Sequence, residues 1–176
     1  MALSADNLET LFTDWLREHR GILVKVARSF AADATGQSEL LQELMFQLWR
    51  SMPRFRHEAK PSTWIYRVCL NAALTWQRTE RRRDYLLSPL GELPEPTCPA
   101  LPPAELHEQT ETLAALYAAV RALPLAERSL VLLLLDGLSY REIGEITGLT
   151  ENHVGVALTR ARKKLAETMR EVRHEH

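Results

Sequence analysis

The sequence predicts an all-α fold: two small helical domains joined by a Pro-rich acidic linker, the second carrying a helix-turn-helix. Three observations lead there. Apolar residues recur three and four positions apart, the spacing of helices, and no strand is evident. Six prolines (Pro89, Pro94, Pro96, Pro99, Pro102 and Pro103) and Gly91 crowd Leu86–Pro103, where neither helix nor sheet interior can form. Leu138–Leu165 then carries the start and stop signals of two helices around a tight turn. The boundaries follow: residues 1–85, a linker over 86–103, and residues 104–176, both domains within the range for small domains.

In chain order, Leu8, Leu11, Phe12, Trp15 and Leu16 predict a first amphipathic helix. A second runs from Gly21 to about Ala32 with Ile22, Leu23, Val26 and Phe30 inward, and Asp33–Gly36 is a break. Ser38 then suits an N-cap for a helix over Glu39–Met52, whose Leu41, Leu44 and Leu48 are core. Phe46 lies off that stripe beside Gln42, Glu43 and Arg50, which makes it a candidate partner surface. Pro53 ends the helix, Arg54–Pro61 is a basic loop, and a fourth helix runs from near Ser62 to about Arg83. Past the linker, helices are expected over Ala104–Ala122 and Leu125–Asp136, the second following Pro124 and forming the core of its domain.

Ser139-Tyr140-Arg141-Glu142 has the form of a capping box. Ile143, Ile146 and Leu149 give the short helix that follows one apolar face, and Gly148 suits a left-handed stop. Thr150 caps the next helix, with Val154, Leu158, Ala161 and Leu165 inward. Arg160, Arg162, Lys163 and Lys164 add the cations that an approach to phosphates requires. An ordinary helical hairpin has the same spacing without them.

The net charge of −1 conceals a division along the chain. Residues 54–83 hold eight basic residues against Glu58 and Glu80, a balance of +6. Residues 84–120 hold six acidic residues and no lysine or arginine, and residues 157–176 return to +3. Two basic segments separated by an acidic one imply two phosphate-facing surfaces. In the first, Phe55, Trp64, Tyr66 and Trp76 are interleaved with Arg54, Arg56, Lys60, Arg67 and Arg78. Single-stranded nucleic acid needs that combination, stacking for bases and charge for backbone. Trp64 and Trp76 also fit a plain core role.

Other classes are disfavoured. Cys69 and Cys98 form no CxxC pair, so neither a zinc site nor a disulfide framework is expected, and a reducing cytoplasm suits the chain. No metal or other cofactor is implied. The apolar run Leu130–Leu135 is too short to span a bilayer, and Asp6, Glu9 and Asp14 are unlike a signal peptide. His19, His57, His107, His153, His174 and His176 are scattered, and no Gly-rich phosphate loop or nucleophile setting occurs, so no enzyme is expected.

GLSYREIGEITGLTENHVGVALTRARKKL resembles region four of the extracytoplasmic-function sigma factors, small initiation subunits of bacterial RNA polymerase in the sigma-70 superfamily. ELLQELMFQLWRSMPRFRHEAKPSTWIYRVCLNAALTWQRTERRR resembles their region two. Domain order, linker and length agree with that family. The resemblance implies a promoter-specificity subunit that melts promoter DNA and has no catalytic chemistry. It implies docking of Gln42, Glu43, Phe46 and Trp49 on the β′ clamp helices of core polymerase, with the β flap as a further partner. It places Arg54, Phe55, Arg56, His57, Lys60, Trp64, Arg67, Asn71, Trp76 and Arg78 at single-stranded minus-ten DNA. Arg141, Asn152, His153, Val156, Thr159, Arg160, Arg162 and Lys163 fall at the duplex minus-thirty-five element. An anti-sigma protein clamping both domains is implied by analogy alone. One departure stands out: where the family commonly has a basic or hydroxyl residue and then an arginine, this chain has Gly155, Val156 and Ala157. Only apolar contact with thymine methyls remains there. The competing reading is a dimeric helix-turn-helix regulator of duplex DNA that never engages polymerase; it leaves residues 54–103 without a purpose.

Overall fold

The computed structural model describes residues 5–86 and 111–174, all of them in helices or the short connections between helices. Residues 104–110 of the expected helix Ala104–Ala122, the expected linker and Cys98 lie outside the described residues. The N-terminal half comprises α1 (Ala5–Phe30), α2 (Ala34–Ser51), a 3₁₀ turn (Met52–Arg54) and α3 (Pro61–Leu86). The C-terminal half comprises α4 (Glu111–Ala122), α5 (Leu125–Leu135), α6 (Tyr140–Thr147) and α7 (Glu151–His174).

Two expectations about the first half need correction. The two helices expected over residues 8–32 are one continuous helix, α1, which runs through Gly21. A Cβ at Gly21 would meet nothing within 4 Å, so no close approach demands glycine there. Burial of Trp15, Ile22, Leu23, Val26, Ala27 and Phe30 along one stripe outweighs a propensity cost of about 1 kcal/mol. The residues expected to break the chain instead begin α2: Asp33, not Ser38, is the N-cap, its carboxylate accepting from the Gly36 N–H at 2.8 Å. Downstream, Pro53 lies in the 3₁₀ turn and Pro61 opens α3, where its fixed φ fits and its missing N–H is not needed. Pro124 is the N-cap of α5.

α1, α2 and α3 pack around Leu40, Leu44, Leu48, Ile65 and Cys69. Burial pushes the Cys69 thiol up to about 12, so it is inert at neutral pH. α5 packs on α7, with Leu133, Val154 and Leu158 fully buried. These two groups are not separate cores. α1 contacts α4 and α5, α3 contacts α6, and one continuous apolar cluster runs through both halves.

The junction is polar as well as apolar. Arg128 of α5 is 4% exposed, and its guanidinium lies 5.3 Å from the centroid of the Phe30 ring. It donates to the Arg121 and Leu123 carbonyls at the end of α4 and to Gln77 of α3. Arg121 donates to the Arg28 carbonyl at 2.9 Å, and Lys25 pairs with Asp136. An unpaired buried cation would be costly, and the partners that surround this one come from both halves.

Two stability measurements test this account in opposite directions. Arg128→Ala leaves the carbonyls of Arg121 and Leu123 without their donor and should lower unfolding free energy by about 2–3 kcal/mol in urea titrations. Gly21→Ala, on an open helix surface, should raise it by roughly 0.5–1 kcal/mol.

Candidate nucleic-acid interface

The basic loop is built around Phe55. Its ring is 9% exposed and packs edge-on against Trp15 at 4.9 Å, with Trp64 at 5.6 Å and His57 at 4.5 Å. Phe55 therefore anchors the loop more than it presents a face to a ligand. His57 adopts a left-handed backbone (φ 59°), which histidine tolerates better than bulky or β-branched residues. That turn directs the chain around a cavity of about 270 Å³ between Arg54, Arg56 and Glu58 on the loop and Trp64 and Arg67 on α3. The Trp64 indole N–H is buried without a hydrogen-bond partner.

Asn71 and Trp76, grouped with that loop on the sequence, open elsewhere. They line a groove of about 560 Å³ between α2 and α3, together with Glu43, Gln47 and Thr75. Trp76 is half-buried and lies over Gly36 at the start of α2. Arg78 is exposed further along α3. Of the candidates around the loop, Arg54, Phe55, Arg56, Trp64 and Arg67 line the first cavity, Asn71 and Trp76 the second groove, and His57, Lys60 and Arg78 neither. On α2, Phe46 is 55% and Trp49 39% exposed, the latter edge-on to Phe12 at 5.2 Å. Gln42 and Glu43 are half-buried beside them, with Glu43 accepting from Gln47 at 2.7 Å. An exposed aromatic pair on a helix packed on its other face is an unpartnered surface.

In the C-terminal half the capping box is complete. Ser139 accepts from the Glu142 N–H, and the Glu142 carboxylate accepts from the Ser139 N–H at 3.0 Å. Gly148 stops α6 in the left-handed conformation (φ 77°), and Thr150 accepts from the His153 N–H at 3.4 Å to start α7. Leu149, expected inward, is exposed, because the turn faces it away from Ile143 and Ile146. A glycine overlooked in the sequence allows α6 and the turn after it to meet closely. A Cβ on Gly144 would lie 2.6 Å from the Leu149 carbonyl oxygen, so α6 and the turn meet backbone to backbone. Its signal was a glycine inside an otherwise good helix, YREIGEIT.

α7 buries Val154, Leu158 and Ala161 and exposes Asn152, His153, Val156, Thr159, Arg160 and Lys163 along the other side. Arg162 is exposed as well, and Lys164 pairs with Glu127 of α5 at 2.9 Å. Gly155 faces the Tyr140 ring, 3.4 Å from where its Cβ would be, so it is a packing residue and not a gap in the exposed face. Arg141 pairs with Glu145 at 3.3 Å on α6. Among the described residues, no cluster of His, Cys, Asp or Glu could hold a metal ion, and no helix is long and apolar enough to cross a membrane.

Comparison with known proteins places this geometry. A sequence model of Sigma-70 region 2 matches residues 15–83, and one of Sigma-70 region 4 matches residues 113–165. The chain belongs to the sigma-70 family. The ECF RNA polymerase sigma factor SigM of Mycobacterium tuberculosis is 28% identical over 159 residues, covering 90% of this chain and 76% of that protein. CnrH, an RNA polymerase sigma factor of Cupriavidus metallidurans, is 25% identical over 177 residues, covering 94% and 90%. Two solved structures share the fold. The sigma factor RpoE of Bartonella quintana, crystallised with the anti-sigma factor NepR, matches with a TM-score of 0.66 at 18% identity over 90% of this chain and 98% of that one. CnrH with the cytosolic domain of CnrY matches with 0.65 at 21% identity over 93% and 90%. The resemblance read from the two motifs therefore holds, and the boundaries of the matched regions fall on either side of the residues expected to link them.

Two outcomes follow for this sigma-family fold. Gly144→Ala forces the Leu149 carbonyl to move and should cost about 1–3 kcal/mol, read by thermal unfolding. The backbone and hydroxyl of Ser139, and then Lys60, hold the Glu142 carboxyl below its ordinary range. Its stabilising contribution is present above the ordinary carboxylate pKa of about 4.3 and disappears as pH falls through the depressed value. Glu142→Gln should flatten that acidic limb of stability against pH while keeping the α6 start.

Proposed function

We propose that this chain is a promoter-specificity subunit of bacterial RNA polymerase, acting in the cytoplasm without catalytic chemistry of its own. The observation that carries the reading is the cavity between the basic loop and α3. It combines three arginines, Arg54, Arg56 and Arg67, with the aromatic side chain of Trp64. At about 270 Å³ it lies just below the usual range for small-molecule pockets, a size suited to one extruded base. The cations neutralise flanking phosphates, while the aromatic surface replaces stacking lost on unpairing.

The remaining surfaces fit the same activity. Phe46 and Trp49, with Gln42 and Glu43, form the docking face for core polymerase, and the β flap is the partner proposed for the C-terminal domain. The exposed side of α7 enters the major groove of the minus-thirty-five element. Asn152, His153, Thr159 and Arg160 are positioned for base or backbone contact, with Arg141, Arg162 and Lys163 on phosphates. Val156, 46% exposed, offers a methyl contact to thymine where a polar side chain would read a base edge. Upstream recognition should therefore be permissive at that position. Relatives of this fold occur with NepR and with CnrY, which supports an anti-sigma protein as a further partner.

Co-purification with core RNA polymerase, followed by run-off transcription from a promoter library, tests the assignment. Phe46→Asp should weaken polymerase retention about thirtyfold or more, the effect of losing an aromatic anchor worth ~2 kcal/mol. Trp64→Ala should retain polymerase and lose template-specific transcripts. A chain that binds duplex DNA tightly and never associates with polymerase would instead be a conventional regulator.

A further inference from the structure

A cavity of about 230 Å³ that the proposed activity does not use lies where α1, α4 and α5 meet. The buried residues in its lining come from all three helices: Ser29, Val120 and Leu132. Leu113, Leu116 and Tyr117 of α4 and the exposed Leu135 of α5 line the rest, so its wall is mostly hydrocarbon. Two ionised groups are present, Lys25 and Asp136, and they pair with each other. One polar group is left over. The Ser29 hydroxyl is buried and has no hydrogen-bond partner among the described residues. Thr13, Thr75, Ser129 and Thr159 each donate to the carbonyl four residues back, the usual outlet for a hydroxyl within a helix. Ser29 makes no such bond, and a buried hydroxyl costs free energy until something satisfies it.

We propose that this cavity binds a small neutral molecule with one aromatic ring, a short alkyl substituent and a single hydroxyl. The hydroxyl meets Ser29, and the ring lies against Leu116 and Tyr117. Each part of that class follows from the lining. An engineered apolar cavity of about 150 Å³ takes benzene, so roughly half as much again takes a ring with a two- or three-carbon substituent. The ligand is neutral because Lys25 and Asp136 already satisfy one another, and a third charge would be left unpaired among leucines. Tyr117 offers its ring for an offset or edge-on contact. A serine hydroxyl both donates and accepts, so it matches a phenol or an alcohol in either sense. α1 belongs to the N-terminal half and α4 and α5 to the C-terminal half, so an occupant touches both. Binding therefore stabilises the packed chain by mass action. The site shares no residue with the loop cavity and stands independently of the function assigned there.

Titration calorimetry of the full chain with para-ethylphenol, and with its hydrocarbon counterpart para-ethyltoluene, tests this. Para-ethylphenol should bind saturably, and at ten times its dissociation constant it should raise the unfolding temperature by about 3–6 °C in scanning calorimetry. Ser29→Ala should weaken para-ethylphenol about fivefold relative to para-ethyltoluene, the effect of one neutral hydrogen bond. The same substitution removes an unsatisfied hydroxyl, so the unfolding temperature of the free chain should not fall. Leu116→Trp fills the space and should abolish binding of both compounds. No saturable binding of para-ethylphenol to the unaltered chain overturns the proposal. Binding that survives Leu116→Trp overturns it as well, as does an equal effect of Ser29→Ala on the two compounds. Should Leu116→Trp fail to fold, the Ser29→Ala comparison decides alone.

Discussion

The buried guanidinium of Arg128 is the constraint on which the relation between the two halves depends. A cation removed from water must find acceptors and a polarisable surface nearby. Here the acceptors come from the end of α4 and from α3, and the surface is the Phe30 ring of α1. No single half supplies all of these. The apolar cluster that continues from α1 into α5 and α7 has the same consequence: each half covers surface that the other would otherwise expose. Two sequence regions that match separate family models are therefore packed as one body, with the basic loop and the helix-turn-helix face to face.

That packing explains the local arrangement at each surface. Phe55 is tied into the aromatic cluster with Trp15 and Trp64, so the loop's arginines project from a fixed base. The left-handed turn at His57 then curves the loop over the cavity. On the other side, Gly144 lets α6 approach the turn before α7, and Gly155 admits the Tyr140 ring. Gly155 packs against the Tyr140 ring, whereas Val156 is exposed on the outer face of α7.

Much of this was legible in the residues because local rules governed it. The capping box at Ser139, the stop at Gly148 and the stripe of Val154, Leu158 and Ala161 depend on neighbours within one or two turns. Where local rules misled, longer-range burial had overridden them. Gly21 has the look of a helix boundary, yet the stripe on either side of it packs on α2 and α3 and carries the helix through. Asp33 and Ser38 are both acceptable caps by type, and the chain uses the earlier one. Trp76 and Asn71 follow the basic loop in sequence, but helical rotation along α3 turns them into the groove against α2.

Periodicity, capping and charge are carried by residues close in the chain, so the helices, the family and two basic surfaces could be read directly from the order of amino acids. Tertiary structure alone settled which basic residues share a cavity, why Gly144 is a glycine, and that α6 lies on Lys60 and Arg67. Each of those rests on contacts between residues about five to more than eighty positions apart, and such approaches are set by how whole helices fill a common core.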